Sequence, residues 1–167
     1  MTIRDATPAD APACAAIYAH YVEHTAISFE SEPPTAAEMA ARIATAQRAH
    51  AWLVLCAGDR VAGYAYGTTF KPRAAYRYSC EVSVYLEADR RRTGAGRALY
   101  GELLPRLARR GFRMAVAGIT LPNAASVGLH AALGFEPVGT YRRIGWKFDA
   151  WHDVAFSQRE LSAFTEG

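Results

Sequence analysis

Cysteine, lysine and long apolar runs are the scarce features of this 167-residue chain. Three cysteines, Cys14, Cys56 and Cys80, are scattered without metal-ligand spacing, which argues against a disulfide framework and fits a reducing interior. The longest apolar candidate, Trp52-Leu53-Val54-Leu55-Cys56, is strand-sized and falls short of the roughly 18 residues of a membrane span. The opening Met1-Thr2-Ile3-Arg4-Asp5 lacks the apolar segment of a secretion signal. A cytoplasmic protein is the expectation. With 51% hydrophobic and 21% charged residues, the composition is that of an ordinary globular protein and excludes an intrinsically disordered chain. A single domain over residues 1–167 is expected, since no linker, repeat or low-complexity tract divides the sequence and a chain this long buries an adequate core unaided.

Lysine occurs only at Lys71 and Lys147, so arginine carries the positive charge. The net charge of +3 hides an uneven distribution: Arg90, Arg91, Arg92, Arg97, Arg106, Arg109, Arg110 and Arg113 stand against the single acid Glu102 within residues 90–113. Such an excess suits a phosphate-bearing ligand or nucleic acid, or else a solvated helix face. Position along the fold has to separate these readings.

Periodicity predicts the order β-α-α-β-β-β-α-β-α-β-β. A short strand over 2–4 precedes an amphipathic helix that starts at Thr7-Pro8-Ala9-Asp10 and runs to about residue 24. Thr35-Ala36-Ala37-Glu38 fits a capping box opening a second helix. Strands over 52–57 and 61–70 form a hairpin through Gly58-Asp59. In the strand 79–86, Cys80, Val82, Val84 and Leu86 share one face and Glu81, Ser83 and Tyr85 the other. A helix over about 94–110 buries Leu99, Leu103 and Leu107, with Pro105 expected to kink it or force an irregular turn. A strand over 114–120, a short helix capped by Asn123 and ending near 133–134, and strands over 135–141 and 151–160 complete the chain. Hairpins mixed with crossovers predict an α/β fold around one mixed sheet.

The chemistry concentrates between strand and helix, at Arg91-Arg92-Thr93-Gly94-Ala95-Gly96-Arg97. Two glycines let backbone approach a ligand, and the free amides of a helix's first turn favour an anion such as a pyrophosphate. No Lys-Ser or Lys-Thr follows, so this is not a P-loop, and without a third glycine it is not a dinucleotide fingerprint. An Arg-x-x-Gly-x-Gly turn after Val82-Ser83-Val84-Tyr85-Leu86, followed by Asn123-Ala124-Ala125-Ser126, His130 and Leu133-Gly134-Phe135, resembles the core of the GNAT N-acetyltransferases. Outside that core, Lys71-x-Arg73-x-x-Tyr76, Glu81-x-Ser83-Val84-Tyr85, Gly145-Trp146-Lys147-Phe148 and Trp151-His152-Asp153-Val154 resemble the phosphinothricin and methionine sulfoximine N-acetyltransferases within it, over nearly the whole chain.

The resemblance implies a GNAT-like fold, one mostly antiparallel mixed sheet flanked by helices with a cofactor cleft between central strands. It implies acetyl-CoA as co-substrate, held by the backbone of Val84, Tyr85 and Leu86, by the turn Arg91, Arg92, Thr93, Gly94, Ala95, Gly96 and Arg97, and by Asn123 and Ser126. Direct transfer to the α-amino group of a small acidic amino-acid analogue would follow. Glu81 is the expected general base, because an ammonium has no lone pair until a proton leaves it. The other reading of Glu81 is a strand glutamate paired with an arginine. His130 shares a helix face with Asn123 and Ser126 and stands where many relatives have a tyrosine acid. It is expected to act on the departing thiolate, as histidinium or as a neutral hydrogen-bond donor, unless it is simply packed. Lys71, Pro72, Arg73 and Tyr76, with Glu81, Val82 and Ser83, are expected to bind the acceptor, the cations reading its acidic end. Cys80 points away from this face, so no acyl-cysteine is expected. His20, His24, His50 and His152 lack paired ligand spacing, and no metal is expected. A homodimer through the aromatic-rich C-terminal strands is expected, with neither nucleic-acid nor membrane partner. The alternatives are an acetyltransferase for another amine, such as a polyamine or a protein N-terminus, and a non-catalytic nucleic-acid-binding module.

Overall fold

The structure, a computed structural model, describes residues 1–90 and 92–161. Alternation in the strands dictates two cores rather than one. In β2 (Ala51–Ala57), Leu53 and Leu55 face one way and Trp52 and Val54 the other, and all four are buried. Such a strand must be covered on both sides. One face receives α1 (Ala11–His24) and α2 (Ala36–Ala49), whose Tyr18, Tyr21, Met39 and Ile43 pack with Trp52, Val54 and Tyr64. The other receives α3 (Ala95–Arg109), whose Leu99, Leu103 and Leu107 pack on Leu53, Leu55, Cys80 and Val82.

The remaining strands are β1 (Thr2–Asp5), β3 (Arg60–Thr69), β4 (Ser79–Leu86), β5 (Met114–Thr120), β6 (Glu136–Lys147) and β7 (Ala150–Glu160). With β2 they form a seven-stranded sheet in the order β1-β2-β3-β4-β5-β7-β6. Every pairing is antiparallel except β4 with β5. The last helix, α4 (Ala124–Ala132), leads from β5 toward β6. Among the described helices none is long and apolar enough to cross a membrane.

Local chemistry sets the ends of these elements. Thr35 caps α2 by accepting the Glu38 N–H at 3.1 Å while the Glu38 carboxylate accepts the Thr35 N–H at 2.9 Å. Asn123 Oδ1 caps α4 by accepting the Ser126 N–H at 3.1 Å. The first helix differs from expectation: residues Pro8–Asp10 form a 3-10 turn before α1 begins, and Asp10 there is gripped by both guanidinium nitrogens of Arg4. The irregular turn expected at Pro105 is absent, because α3 runs through it without a break. Pro105 and Gly101, whose carbonyl loses its partner, both lie on the exposed side, where a freed carbonyl can tilt toward water. The strand expected to end at 141 continues to Lys147 through a register irregularity between Tyr141 and Gly145. Its second half exposes Ile144 and Trp146, so no alternation of apolar and polar residues marks it.

The site is created where β4 and β5 part. They pair only at Ser79↔Met114, Cys80↔Ala115 and Glu81↔Val116. Beyond Glu81, β4 stays with β3 as far as Leu86↔Gly63, and β5 stays with β7 as far as Thr120↔Val154. The sheet opens there as a wedge with Glu81 at its apex.

Candidate active site

An open wedge leaves backbone groups without partners. Glu87 donates its N–H to Ala62 O at 3.0 Å, so odd-numbered positions of β4 bond to β3, and beyond the last pair with β5 the C=O of Val82 and the N–H and C=O groups of Val84 and Leu86 face the split. The Leu86 carbonyl agrees, since it accepts the hydroxyl of Tyr21 from outside the sheet. The split forms a cleft of about 240 Å³ bounded by β4, β5, α3 and α4. Val82, Ser83, Val84, Tyr85, Leu86, Arg92, Thr93, Gly94, Ala95, Gly96, Arg97, Asn123, Ser126 and His130 all line it. Arg91 lies outside the described residues.

The turn into α3 is a donor-rich mouth. Gly94 is the N-cap at φ +84°, a left-handed conformation that disfavours any side chain. No side chain caps the helix, leaving its first amides to an anion, with exposed Arg92 and Arg97 beside them. This arrangement fits a diphosphate. Gly96 has a second reason to be glycine: a Cβ there would stand 3.0 Å from Leu129 Cδ2, so it also lets α3 and α4 pack closely.

The basic stretch divides by position. Arg92 and Arg97 line the cleft. Arg106 pairs with Asp5, and Arg110 donates to the Gln47 and Arg48 carbonyls at the C-terminal end of α2, where a cation complements the helix dipole.

On α4, His130 is 4% exposed and both ring nitrogens are engaged. Nδ1 lies 2.7 Å from the Ser126 carbonyl, which can only accept, so Nδ1 carries the proton. Nε2, 3.1 Å from the Tyr100 hydroxyl, then accepts from it. Burial pushes the imidazole below the ordinary histidine range despite the Ser126 bond, which favours the neutral ring over histidinium. Tyr100, fully buried on α3, has its phenol pushed well above the usual value by the same loss of water.

Glu81 lies half-buried at the apex. Among the described residues no hydrogen bond or ion pair engages its carboxylate, so the arginine-paired reading does not describe it. Burial alone raises its pKa above the ordinary glutamate value. Cys80, next in sequence, is fully buried on the opposite face, its thiol pushed up to about 12.

A family profile described as an acetyltransferase (GNAT) domain matches residues 3–156. The chain belongs to the GNAT acetyltransferase family. A phosphinothricin N-acetyltransferase of Streptomyces viridochromogenes is 42% identical over 96% of this chain and 88% of its own length. An L-methionine sulfoximine/L-methionine sulfone acetyltransferase of Pseudomonas aeruginosa is 37% identical over 96% of this chain and 94% of its own. Among solved structures, a GNAT-superfamily phosphinothricin acetyltransferase from Sinorhizobium meliloti in complex with acetyl-CoA superposes with a TM-score of 0.92 at 39% identity, covering 99% of this chain and 94% of that one.

The loop residues expected to bind an acceptor are more exposed than most of those lining the cleft. Lys71, Pro72, Arg73 and Tyr76 lie on the exposed connection between β3 and β4 and do not line the cleft. They stand at the Glu81 end of β4, and Lys71 Nζ sits 5.4 Å from the Phe70 ring centre and 5.6 Å from that of Tyr76. Sequence reasoning missed Tyr100, Tyr21 and Ile27 as cleft residues. For Tyr100 a signal existed: it extends the Leu99-Leu103-Leu107 stripe to a second row with Leu104, and all five are buried.

Proposed function

We propose that this GNAT protein is an acetyl-CoA-dependent N-acetyltransferase acting on the α-amino group of small amino-acid analogues of the phosphinothricin and methionine sulfoximine type. The observation that carries the reading is the parting of β4 from β5 immediately after Glu81. It sets unpaired strand amides along one wall of the cleft, and at the last paired position stands Glu81, whose half-buried carboxylate is unpartnered among the described residues although the residue is not itself part of the cleft lining. The two relatives named above supply the acceptor class.

Acetyl-CoA supplies an acetyl group activated as a thioester. The amides and arginines of the Arg92–Arg97 turn bind the pyrophosphate, and Asn123, its Oδ1 committed to capping α4, offers its side-chain N–H from the other wall. The Val84 N–H faces the split and stabilises the oxyanion that develops as the amine attacks. Glu81 accepts the proton of the acceptor ammonium, a task for which a raised pKa is suited. His130 stays neutral. Its Nδ1 proton is held by Ser126 and its Nε2 accepts the single Tyr100 O–H, so it orients Tyr100 before reaction; as the thioester breaks, that O–H leaves Nε2 and donates to the departing sulfur. Lys71 and Arg73 attract the acceptor carboxylate.

We also propose a homodimer through the β6–β7 hairpin. Tyr141, Ile144, Trp146, Phe148 and Trp151 are each 58–60% exposed there, a larger apolar display than a monomer keeps in water.

The test is coenzyme A release from acetyl-CoA with phosphinothricin, methionine sulfoximine, methionine sulfone, glutamate, spermidine and an N-terminal peptide. Turnover on the amino-acid analogues is expected. Turnover on spermidine or peptide alone, or on none, would overturn the acceptor assignment.

A further inference from the structure

A second cavity, of about 350 Å³, lies on the face of the sheet that carries Glu81, between α2 and the strands β2 and β3. Its walls include Tyr18, Met39, Arg42, Trp52, Tyr66 and Thr68. Its wall is aromatic: the Trp52 ring stacks face to face on Tyr66 with centroids 4.2 Å apart and planes 11° from parallel, and on Tyr64 at 5.2 Å and 10°.

Register connects this cavity to the chemistry. Thr68 is the direct cross-strand partner of Glu81, and Tyr66 that of Ser83. Directly opposed residues of neighbouring strands put their side chains on one face with Cβ atoms about 5 Å apart. An α-amino group held at Glu81 therefore has its own side chain within reach of the Thr68 and Tyr66 wall.

The one cation at the rim is already matched. Arg42 meets both oxygens of Glu30, at 3.0 and 2.6 Å. That bidentate pair leaves little positive charge for an anionic group entering the cavity.

We propose that this aromatic-walled cavity is the side-chain subsite of the acceptor, selecting an uncharged side chain that packs against the Trp52–Tyr66 stack, while the Lys71 and Arg73 loop takes the α-carboxylate. The inference rests on the N-acetyltransferase reading above. It makes the sulfone and sulfoximine of methionine better acceptors than phosphinothricin, whose side chain ends in an anion.

The experiment is steady-state kinetics on the full chain with methionine sulfone and phosphinothricin as probes. Ala41 and Thr45 border the cavity from exposed positions on α2, so Ala41→Trp fills it from outside the core. Loss of a fitted side-chain contact is worth about 10-fold or more in specificity. Ala41→Trp is expected to raise the KM for methionine sulfone by about that factor with the acetyl-CoA KM unchanged, and Thr45→Trp repeats the measurement should Ala41→Trp not fold. Glu30→Gln frees Arg42 and is expected to move the kcat/KM ratio toward phosphinothricin. An unchanged methionine sulfone KM in the filled variant, or an unmoved ratio in Glu30→Gln, would overturn the subsite. Wild-type protein inactive on every α-amino acid would instead remove the reading beneath it, a result visible before any variant is made.

Discussion

The hydroxyl of Tyr100 on α3 and Nε2 of His130 on α4 stand 3.1 Å apart, and with Nδ1 donating to the Ser126 carbonyl this contact fixes one tautomer of a buried, neutral imidazole. Neither partner has water to fall back on. Tyr100→Phe removes the only donor to Nε2 among the described residues and leaves a buried acceptor unsatisfied, at a cost of about 2 kcal/mol in stability. In wild type, nitrogen NMR of His130 is expected to show a protonated Nδ1 and a bare Nε2. The variant is expected to lose that single-tautomer signature and to fall in kcat while its acetyl-CoA KM changes little. A single tautomer retained at full kcat would refute the pairing.

Glu81 yields a prediction with opposite signs for activity and stability. Glu81→Gln is expected to lower kcat by about 10²- to 10⁴-fold, the usual contribution of a positioned base. In wild type the acid limb of kcat/KM lies above the ordinary glutamate range, because burial raises this pKa, and the limb disappears in the variant. A folded-state pKa raised above the unfolded value contributes stability that is present at low pH and lost as pH rises through the folded value. The neutral amide escapes that loss, so Glu81→Gln should be at least as stable as wild type at pH 8 in a denaturant melt. A variant both active and destabilised would mean that Glu81 is structural.

The residues of the turn read as a phosphate site stand closer together in the sequence than the rest of the cleft lining, for a physical reason. Phosphate binding at a helix N-terminus needs contiguous residues, glycines and free amides within one turn, and residues 92–97 display them in order. The strand faces of β4 were legible from alternation, and so was the burial of Cys80 opposite Glu81. What was not legible depends on three-dimensional juxtaposition. The parting of β4 from β5 is a matter of where pairing stops, and no residue type marks it. The contact of Tyr100 with His130 joins positions 30 residues apart, so the sequence alone leaves His130 open as a histidinium, a neutral donor or a packed residue. The helix is unbroken at Pro105 because the residue's exposed setting on α3 tolerates the missing bond.

The two glycines of the turn should respond differently to the same substitution. Gly94→Ala meets open space, so its effect is the left-handed backbone alone, roughly 1–2 kcal/mol. Gly96→Ala suffers no such strain but meets at 3.0 Å the Leu129 side chain of α4, which must give by a few tenths of an ångström. Thermal melts paired with acetyl-CoA titration separate them. Gly96→Ala is expected to weaken acetyl-CoA binding out of proportion to its loss of stability.

The hairpin face gives a prediction about assembly. Trp146 and Trp151 lie edge to face at 5.0 Å, both more than half exposed. Sedimentation is expected to find wild type as a dimer and Trp146→Glu as a monomer, since a charge at the centre of an apolar contact cannot be paired there. A monomeric wild type would remove the interface.

Lys147, one of only two lysines in the chain, ties the same hairpin to the acceptor side of the cleft. Its Nζ donates to the carbonyls of Val22 and Ser28 at 2.7 Å each, so a residue of β6 holds both the last turn of α1 and the loop that follows it. That loop places Ile27 in the cleft wall, and Thr120 of β5 reaches the Ile27 carbonyl from the other side. Burial draws the ammonium's pKa below the ordinary lysine value while Glu30 partly opposes it. Lys147→Met keeps the length and apolar stem but removes both donors. Charge-assisted bonds of this kind are worth about 2 kcal/mol, and a loss of that size is expected in a denaturant melt. Because the loop walls the cleft, the acceptor KM should rise several-fold in the same variant. Stability lost with an unaltered acceptor KM would show that the clamp supports the fold without shaping the site.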